Sequence, residues 1–272
     1  MQYFKDKVVV ITGASSGIGE ACAIAFAKAG CDLVLAARNI EKLQQVAKEC
    51  LKFGGRVHFV QTDVANENEC SRLMAETVNT FGKIDILLNN AGISMRATFK
   101  DAKIDVLKRL MDVNFWGMVY CTKYSLPFLL KTKGSVVGIS SIAGFKGLPG
   151  RTGYSASKFA MNGFLETLRI ENLKTGLHVL ICAPGFTASN IRNTALTANG
   201  TIQADSPREE EKMMQPEEVA SALLKALETR KNVLVLTTQG KLLVILNKFF
   251  PKFIDKMTYN AMAKEPNSPL KG

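Results

Sequence analysis

Two histidines and one tryptophan are spread over 272 residues, and none of the six cysteines forms a C-x-x-C pair. His58 and His178 both fall in strand-like runs. That leaves little material for a histidine-based nucleophile triad or a histidine-rich metal centre, so no metal site is expected. Cys22, Cys31, Cys50, Cys70, Cys121 and Cys182 sit mostly inside helical or strand patterns, which predicts reduced, buried thiols and no disulfide scaffold. No apolar run approaches the roughly 20 residues of a spanning helix. The N-terminus, Met1-Gln2-Tyr3-Phe4-Lys5-Asp6-Lys7, lacks the apolar stretch and small-residue cleavage site of a secretory signal, so a cytoplasmic protein is expected. Internal repeats and low-complexity segments are absent as well.

Apolar residues are abundant enough, at 47%, to build a core, and the net charge is +11. A basic surface can meet nucleic acid, an anionic membrane or an anionic ligand. The chain carries no zinc-finger, basic-zipper or RNA-recognition signature, and nucleic acid is not an expected partner.

Strand-like and helix-like patterns alternate. Strands are expected at 8–12, 33–36, 56–61, 84–88, 135–140, 177–183 and 233–236. Helices are expected at 18–30, 41–51, 66–81, 101–131 (interrupted or ended near Pro127), 154–174 and 216–230. Continuous apolar strands between amphipathic helices predict an α/β fold: a single doubly wound, Rossmann-type domain, its parallel sheet flanked by helices on both faces. The domain is expected over 1–240. The irregular, polar stretch 186–215 is too long for a plain connection and reads as a substrate lid. A C-terminal amphipathic tail is expected over 241–272.

The first strand ends in Thr12-Gly13-Ala14-Ser15-Ser16-Gly17-Ile18-Gly19 and a helix follows. Glycines permit a tight turn and close backbone approach, and the helix N-terminus offers unpaired N–H groups to a pyrophosphate. The next strand ends Ala36-Ala37-Arg38-Asn39, without the acid that would bind the ribose hydroxyls of NAD. Arg38 instead stands where a guanidinium can pair with a 2′-phosphate, which favours NADP(H).

Tyr154 and Lys158 lie four apart in a predicted helix, so both side chains share a face. A nearby ammonium lowers the pKa of a phenol and lets it exchange a proton with a substrate oxygen. Ser141 ends one strand and can polarise a carbonyl oxygen. Asn89-Asn90-Ala91-Gly92 and Asp63-Val64 end two others at the same sheet edge, so these groups would converge on one crevice.

Taken in order, T-G-x-x-x-G-x-G at 12–19, Asp63-Val64, Asn89–Gly92, Asn114, Ser141, Tyr154, Lys158 and Pro184-Gly185 resemble the short-chain dehydrogenase/reductase family, from Lys7 to about Leu236. The resemblance leans towards the 11β-hydroxysteroid dehydrogenase-like branch. It implies Asn114, Ser141, Tyr154 and Lys158 as catalytic residues. Tyr154 would be the general acid/base, Lys158 would tune it and hold the nicotinamide ribose, Ser141 would orient the carbonyl, and Asn114 would support a water-linked proton path. It further implies that Gly13, Ser15, Ser16, Gly17, Ile18 and Gly19 cradle the cofactor. Asp63 and Val64 would flank the adenine, and Asn90, Ala91 and Gly92 would line the cleft. Pro184, Gly185 and Thr187 would flank the nicotinamide. The family's P-G-x-x-x-T pattern has Ser189 in its last place here, which leaves Thr187 and Ser189 as alternative cofactor contacts.

The expected activity is hydride transfer between NADP(H) and a carbonyl or secondary alcohol of a small lipophilic substrate. Pocket candidates are Ser94, Met95, Phe145, Leu148, Phe186 and Ile191. A 3-oxoacyl-(acyl-carrier-protein) reductase-like enzyme and a non-catalytic NADP-sensing module are the alternatives. The resemblance also implies a homodimer or homotetramer. In the tail, Leu242, Leu246, Phe249, Phe250, Phe253 and Met257 fall near one face, lysines recur at 248, 252 and 256, and Pro251 starts a second helix. This stretch is expected to pack over the substrate mouth or a neighbouring subunit, with peripheral membrane contact as the less favoured alternative.

Overall fold

A computed structural model describes residues 2–188, 191–203 and 213–271. Among them, seven strands form one parallel sheet in the order β3-β2-β1-β4-β5-β6-β7. The strands are β1 (Val8–Thr12), β2 (Asp32–Ala37), β3 (Val57–Gln61), β4 (Ile86–Asn89), β5 (Ser135–Ile139), β6 (His178–Ala183) and β7 (Val233–Val235). β1 lies between β2 and β4, with Val10 opposite Val34 on one side and Leu87 on the other. The chain order reverses between β1 and β4, and the crevice at a sheet's C-terminal edge opens at such a switch point.

Alternate strand residues face opposite layers. Val9, Ile11, Leu33 and Leu35 pack against α1 (Gly17–Lys28), α2 (Ile40–Leu51) and α7 (Pro216–Glu228). Val10, Val34, Leu87 and Val136 pack against α3 (Glu67–Phe81), α5 (Gly117–Thr132) and α6 (Thr152–Glu171). The strands read as near-continuous apolar runs because helices cover both faces. Asn39 caps α2 by accepting the Lys42 N–H at 2.8 Å, and Asn66 caps α3. All six cysteines are buried and free.

The long helical stretch at 101–131 is divided, but not at Pro127. It consists of α4 (Ile104–Met111), a π-helical turn (Asp112–Trp116) and α5, with Pro127 inside α5. Pro127 and Lys123 are both exposed, so the Lys123 carbonyl that loses its N–H partner faces water and the helix continues. The wider turn sits at Asn114. Strand β4 starts at Ile86, two residues later than the apolar pattern predicts.

The stretch 186–215 has neither helix nor strand among its described residues. Single bridges hold it, Thr187 to Met214 and Leu196 to both Met95 and Ile202. Leu196 is buried in a small satellite core with Met95, Ala97, Val106 and Leu110. The tail forms α8 (Thr238–Phe249) and α9 (Pro251–Ala263), with Pro251 in the first turn of α9. No helix among the described residues is long and apolar enough to cross a membrane.

Candidate active site

A cavity of about 450 Å³ lies along the C-terminal edge of the sheet. Its floor at one end is the glycine loop. Gly13 has φ +65° and Gly17 has φ +58°, conformations that glycine adopts without strain. A Cβ on Gly19 would stand 2.2 Å from the Gly13 carbonyl oxygen and 2.5 Å from Asn90 Nδ2, so the helix can approach the loop only with glycine there. The Asn90 side chain donates to the carbonyls of Thr12 and Gly13, both at 3.0 Å. The Thr12 hydroxyl accepts the N–H groups of Asn90 and Ala91. The two loops therefore set one another's shape. Ser16, the N-cap of α1, makes no side-chain cap bond, so the first-turn N–H groups are left for an anion.

Sixteen of the seventeen expected cofactor residues line this cavity: Gly13, Ser15, Ser16, Gly17, Ile18, Arg38, Asp63, Val64, Asn90, Ala91, Gly92, Tyr154, Lys158, Pro184, Gly185 and Thr187. Gly19 lies beneath the loop, where it permits the close approach just described. Arg38 is exposed at the rim, directly after β2. Thr187 is buried in the lining; Ser189, its alternative, lies outside the described residues.

At the other end Ser141, Tyr154 and Lys158 come together. Ser141 follows β5 and hydrogen-bonds the Tyr154 phenol through its side chain. Tyr154 is half-buried, and the surrounding protein pushes the phenol above its ordinary pKa. The Ser141 bond and the positive charges of Arg151 and Arg192 oppose that rise. Lys158 is fully enclosed. Its ammonium donates to the Ile139 carbonyl at 2.8 Å and lies 5.7 Å from the centre of the Tyr154 ring. Burial pushes it down from 10.5 to about 7. The charges acting on the phenol in this arrangement are thus the two arginines, while the expected ammonium is itself half-neutralised near pH 7.

Asn114 stands behind the wall of the cavity. Its side chain accepts the Ile93 N–H at 2.8 Å and donates to the Ile93 carbonyl at 3.0 Å and to Ser157 Oγ at 2.9 Å. The π-helical turn aims it there, and its Oδ1 would lie 3.2 Å from a Cβ on Gly92, with Lys158 Nζ at 3.6 Å.

Of the pocket candidates, Ser94, Leu148, Phe186 and Ile191 line the cavity. Met95 and Phe145 do not. Met95 is fully buried in the satellite core, and Phe145 packs on the main core beside α6, because each points away from the cleft into apolar layers. The apolar reading of this pocket also missed Arg109, Arg151, Arg192 and Glu265. Arg151 precedes Tyr154 by three residues, a spacing that could have marked it. Glu265 gave no local signal. It is buried between Arg96 (3.7 Å) and Arg151 (3.5 Å), brought there by the tail. Ser140 Oγ, buried in the lining, has no hydrogen-bond partner among the described residues. No cluster of His, Cys, Asp or Glu that could hold a metal occurs among the described residues.

Residues 7–200 match the family model described as short chain dehydrogenase. The mouse "Dehydrogenase/reductase SDR family member 7B" is 37% identical over 240 residues, covering 86% of this chain and 74% of that protein. The Arabidopsis thaliana "11-beta-hydroxysteroid dehydrogenase-like 4A" is 44% identical over 194 residues, covering 71% of this chain and 64% of the plant protein. Among solved structures, a short chain dehydrogenase/reductase from Burkholderia phymatum in complex with NAD superposes with a TM-score of 0.82 at 25% identity, covering 93% of this chain and 96% of that one. An alcohol dehydrogenase from the archaeon Thermococcus sibiricus, complexed with 5-hydroxy-NADP, gives 0.76 at 27% identity, covering 85% and 96%.

Proposed function

The chain belongs to the short-chain dehydrogenase family, and from that premise we propose that it is an NADP(H)-dependent oxidoreductase acting on the carbonyl or secondary alcohol of a small lipophilic substrate. The observation that carries this reading is the meeting of Ser141, Tyr154 and Lys158 in the same cavity as the glycine loop and Arg38.

The residues fit a dinucleotide. Gly13, Gly17 and Gly19 clear the backbone for a pyrophosphate, and the open first turn of α1 supplies its N–H donors. Arg38 would pair with a 2′-phosphate at the rim. Asp63 and Val64 would flank the adenine, while Pro184, Gly185 and Thr187 would flank the nicotinamide. The 5-hydroxy-NADP of the archaeal neighbour and the NAD of the bacterial one are both compatible with such a trough, so the preference for NADP(H) rests on Arg38 and the missing acid.

When bound, the nicotinamide supplies or accepts the hydride. Tyr154 holds the proton that the substrate oxygen gains or loses. Its raised pKa keeps the phenol protonated near neutral pH, the form that can donate to a carbonyl oxygen. Ser141 donates a hydrogen bond to the same oxygen. Lys158 holds the ribose and passes protons towards Asn114, whose side chain is locked by Ile93 and Ser157. Ile93, Leu148, Phe186, Leu196 and Ile202 supply an apolar wall for the substrate.

A panel of lipophilic ketones with NADPH and NADH tests this. Loss of reduced nicotinamide absorbance with NADPH is expected. Tyr154→Phe should abolish it and leave nucleotide binding intact. Equal or faster turnover with NADH overturns the cofactor preference. Nucleotide binding without turnover of any carbonyl overturns the enzymatic reading in favour of a sensing module.

A further inference from the structure

The tail buries only part of its apolar surface. Ile254, Thr258 and Met262 are the buried side of α9, and Gly240 of α8 packs on Ile142. Leu242, Ile245, Phe249, Phe250, Phe253 and Met257 remain exposed, from 43% for Met257 to 71% for Phe249. On α8 the spacing 242, 245, 249 forms one stripe, and Phe250, Phe253 and Met257 carry it into α9. Single exposed apolar residues are ordinary, but a run of six on two consecutive helices marks a contact surface.

The polar residues around the stripe say what covers it. Lys241, Lys248, Lys252 and Lys256 are all exposed beside it. The one acid between Thr238 and Lys264 is Asp255, and it is paired with Lys146. A self-complementary contact between two copies would bring these lysines against one another. An anionic lipid surface accepts both the lysines and the phenylalanines. Helices of 12 and 13 residues are too short to span a bilayer but can lie in its interface. The hairpin is also tied to the cavity at both ends: Thr237 abuts Gly185, and Glu265, just after α9, is in the cavity wall. Phe186 and Ile202, two further lining residues, are themselves exposed.

We propose that α8 and α9 dock the protein on an anionic membrane and hold the cavity mouth at the lipid interface, so that the substrate is drawn from the bilayer. The docking stands on the surface alone; the delivery of substrate rests on the oxidoreductase reading above.

Co-sedimentation of the full chain with phosphatidylcholine vesicles, with and without phosphatidylserine, tests the docking. Pelleting with the anionic vesicles is expected, weakening as salt is raised. Each change of Lys248, Lys252 or Lys256 to Gln should lower partitioning about fivefold. Phe249→Ser with Phe253→Ser should abolish it. Those two side chains are solvent-exposed, so an unchanged circular dichroism spectrum and unchanged turnover of a water-soluble ketone are expected. A full chain that stays in the supernatant overturns the proposal. So does pelleting on neutral vesicles that is indifferent to the lysine changes, or a dimer in solution that Phe249→Ser dissociates, which would make a second copy the occupant. Vesicle binding by a protein that turns over no carbonyl supports the docking and overturns the oxidoreductase reading.

Discussion

Lys158→Met should stabilise the folded chain near neutral pH while abolishing turnover. The Lys158 ammonium is buried at 3% exposure and burial alone pushes it from 10.5 to about 7. The folded value lies below the unfolded one, so the unfolded chain binds more protons between them. Stability therefore rises with pH across the window from about 7 to 10.5. The handicap is complete below about 7 and absent above 10.5. Each pH unit inside the window is worth about 1.4 kcal/mol, which makes the full handicap roughly 5 kcal/mol. Methionine carries no charge, but it leaves the Ile139 carbonyl without its 2.8 Å donor. That loss costs about 1–3 kcal/mol. The net gain near pH 7 is then about 2–4 kcal/mol. Between pH 7.5 and 9.5 the advantage of the variant should shrink by about 3 kcal/mol, a difference that does not depend on the lost hydrogen bond. Urea denaturation of nucleotide-stripped protein at the two pH values measures it. An advantage that is equal at both would show that Lys158 does not titrate in this window, and the reasoning would fail.

Other outcomes follow from the same geometry. Gly19→Ala places a Cβ 2.2 Å from the Gly13 carbonyl oxygen, so the loop must shift; nucleotide affinity measured by calorimetry should fall at least tenfold, and an unchanged affinity would refute the close approach. Arg38→Ser removes a charge-assisted contact worth about 1.5–3 kcal/mol, so the NADPH-to-NADH ratio of kcat/KM should drop roughly ten- to a hundredfold. Glu265→Ala leaves Arg96 and Arg151 buried without their shared carboxylate; the cost should be about 3–5 kcal/mol, read as a lowered melting temperature. Pro127→Ala restores a main-chain donor on an exposed helix face and should raise the melting temperature.

The glycine loop, Arg38 and the Tyr154–Lys158 pair were legible because each depends on residues a few positions apart. A turn's glycines and a helix's i, i+4 partners meet wherever the segment ends up. The layer pattern was legible for a similar reason: strands covered on both faces must be apolar throughout, and the alternation with amphipathic helices leaves a parallel sheet as the arrangement that buries both. Pro127 misled the reading because its cost depends on whether the freed carbonyl meets water, and that depends on which face of α5 is exposed.

Local pattern therefore specified the doubly wound sheet, the glycine loop and the Tyr154–Lys158 pair, since short-range sterics and periodic burial act within single elements. The charge around Tyr154 was settled by folding. Arg192 and Glu265 join the local Arg151 there only because the stretch after β6 and the tail cross the same sheet edge. The Arg96–Pro266 hydrogen bond beside them joins residues 170 apart. No periodicity encodes such a contact; it exists because packing brings distant segments over one cavity, where burial then sets the strength of every charge.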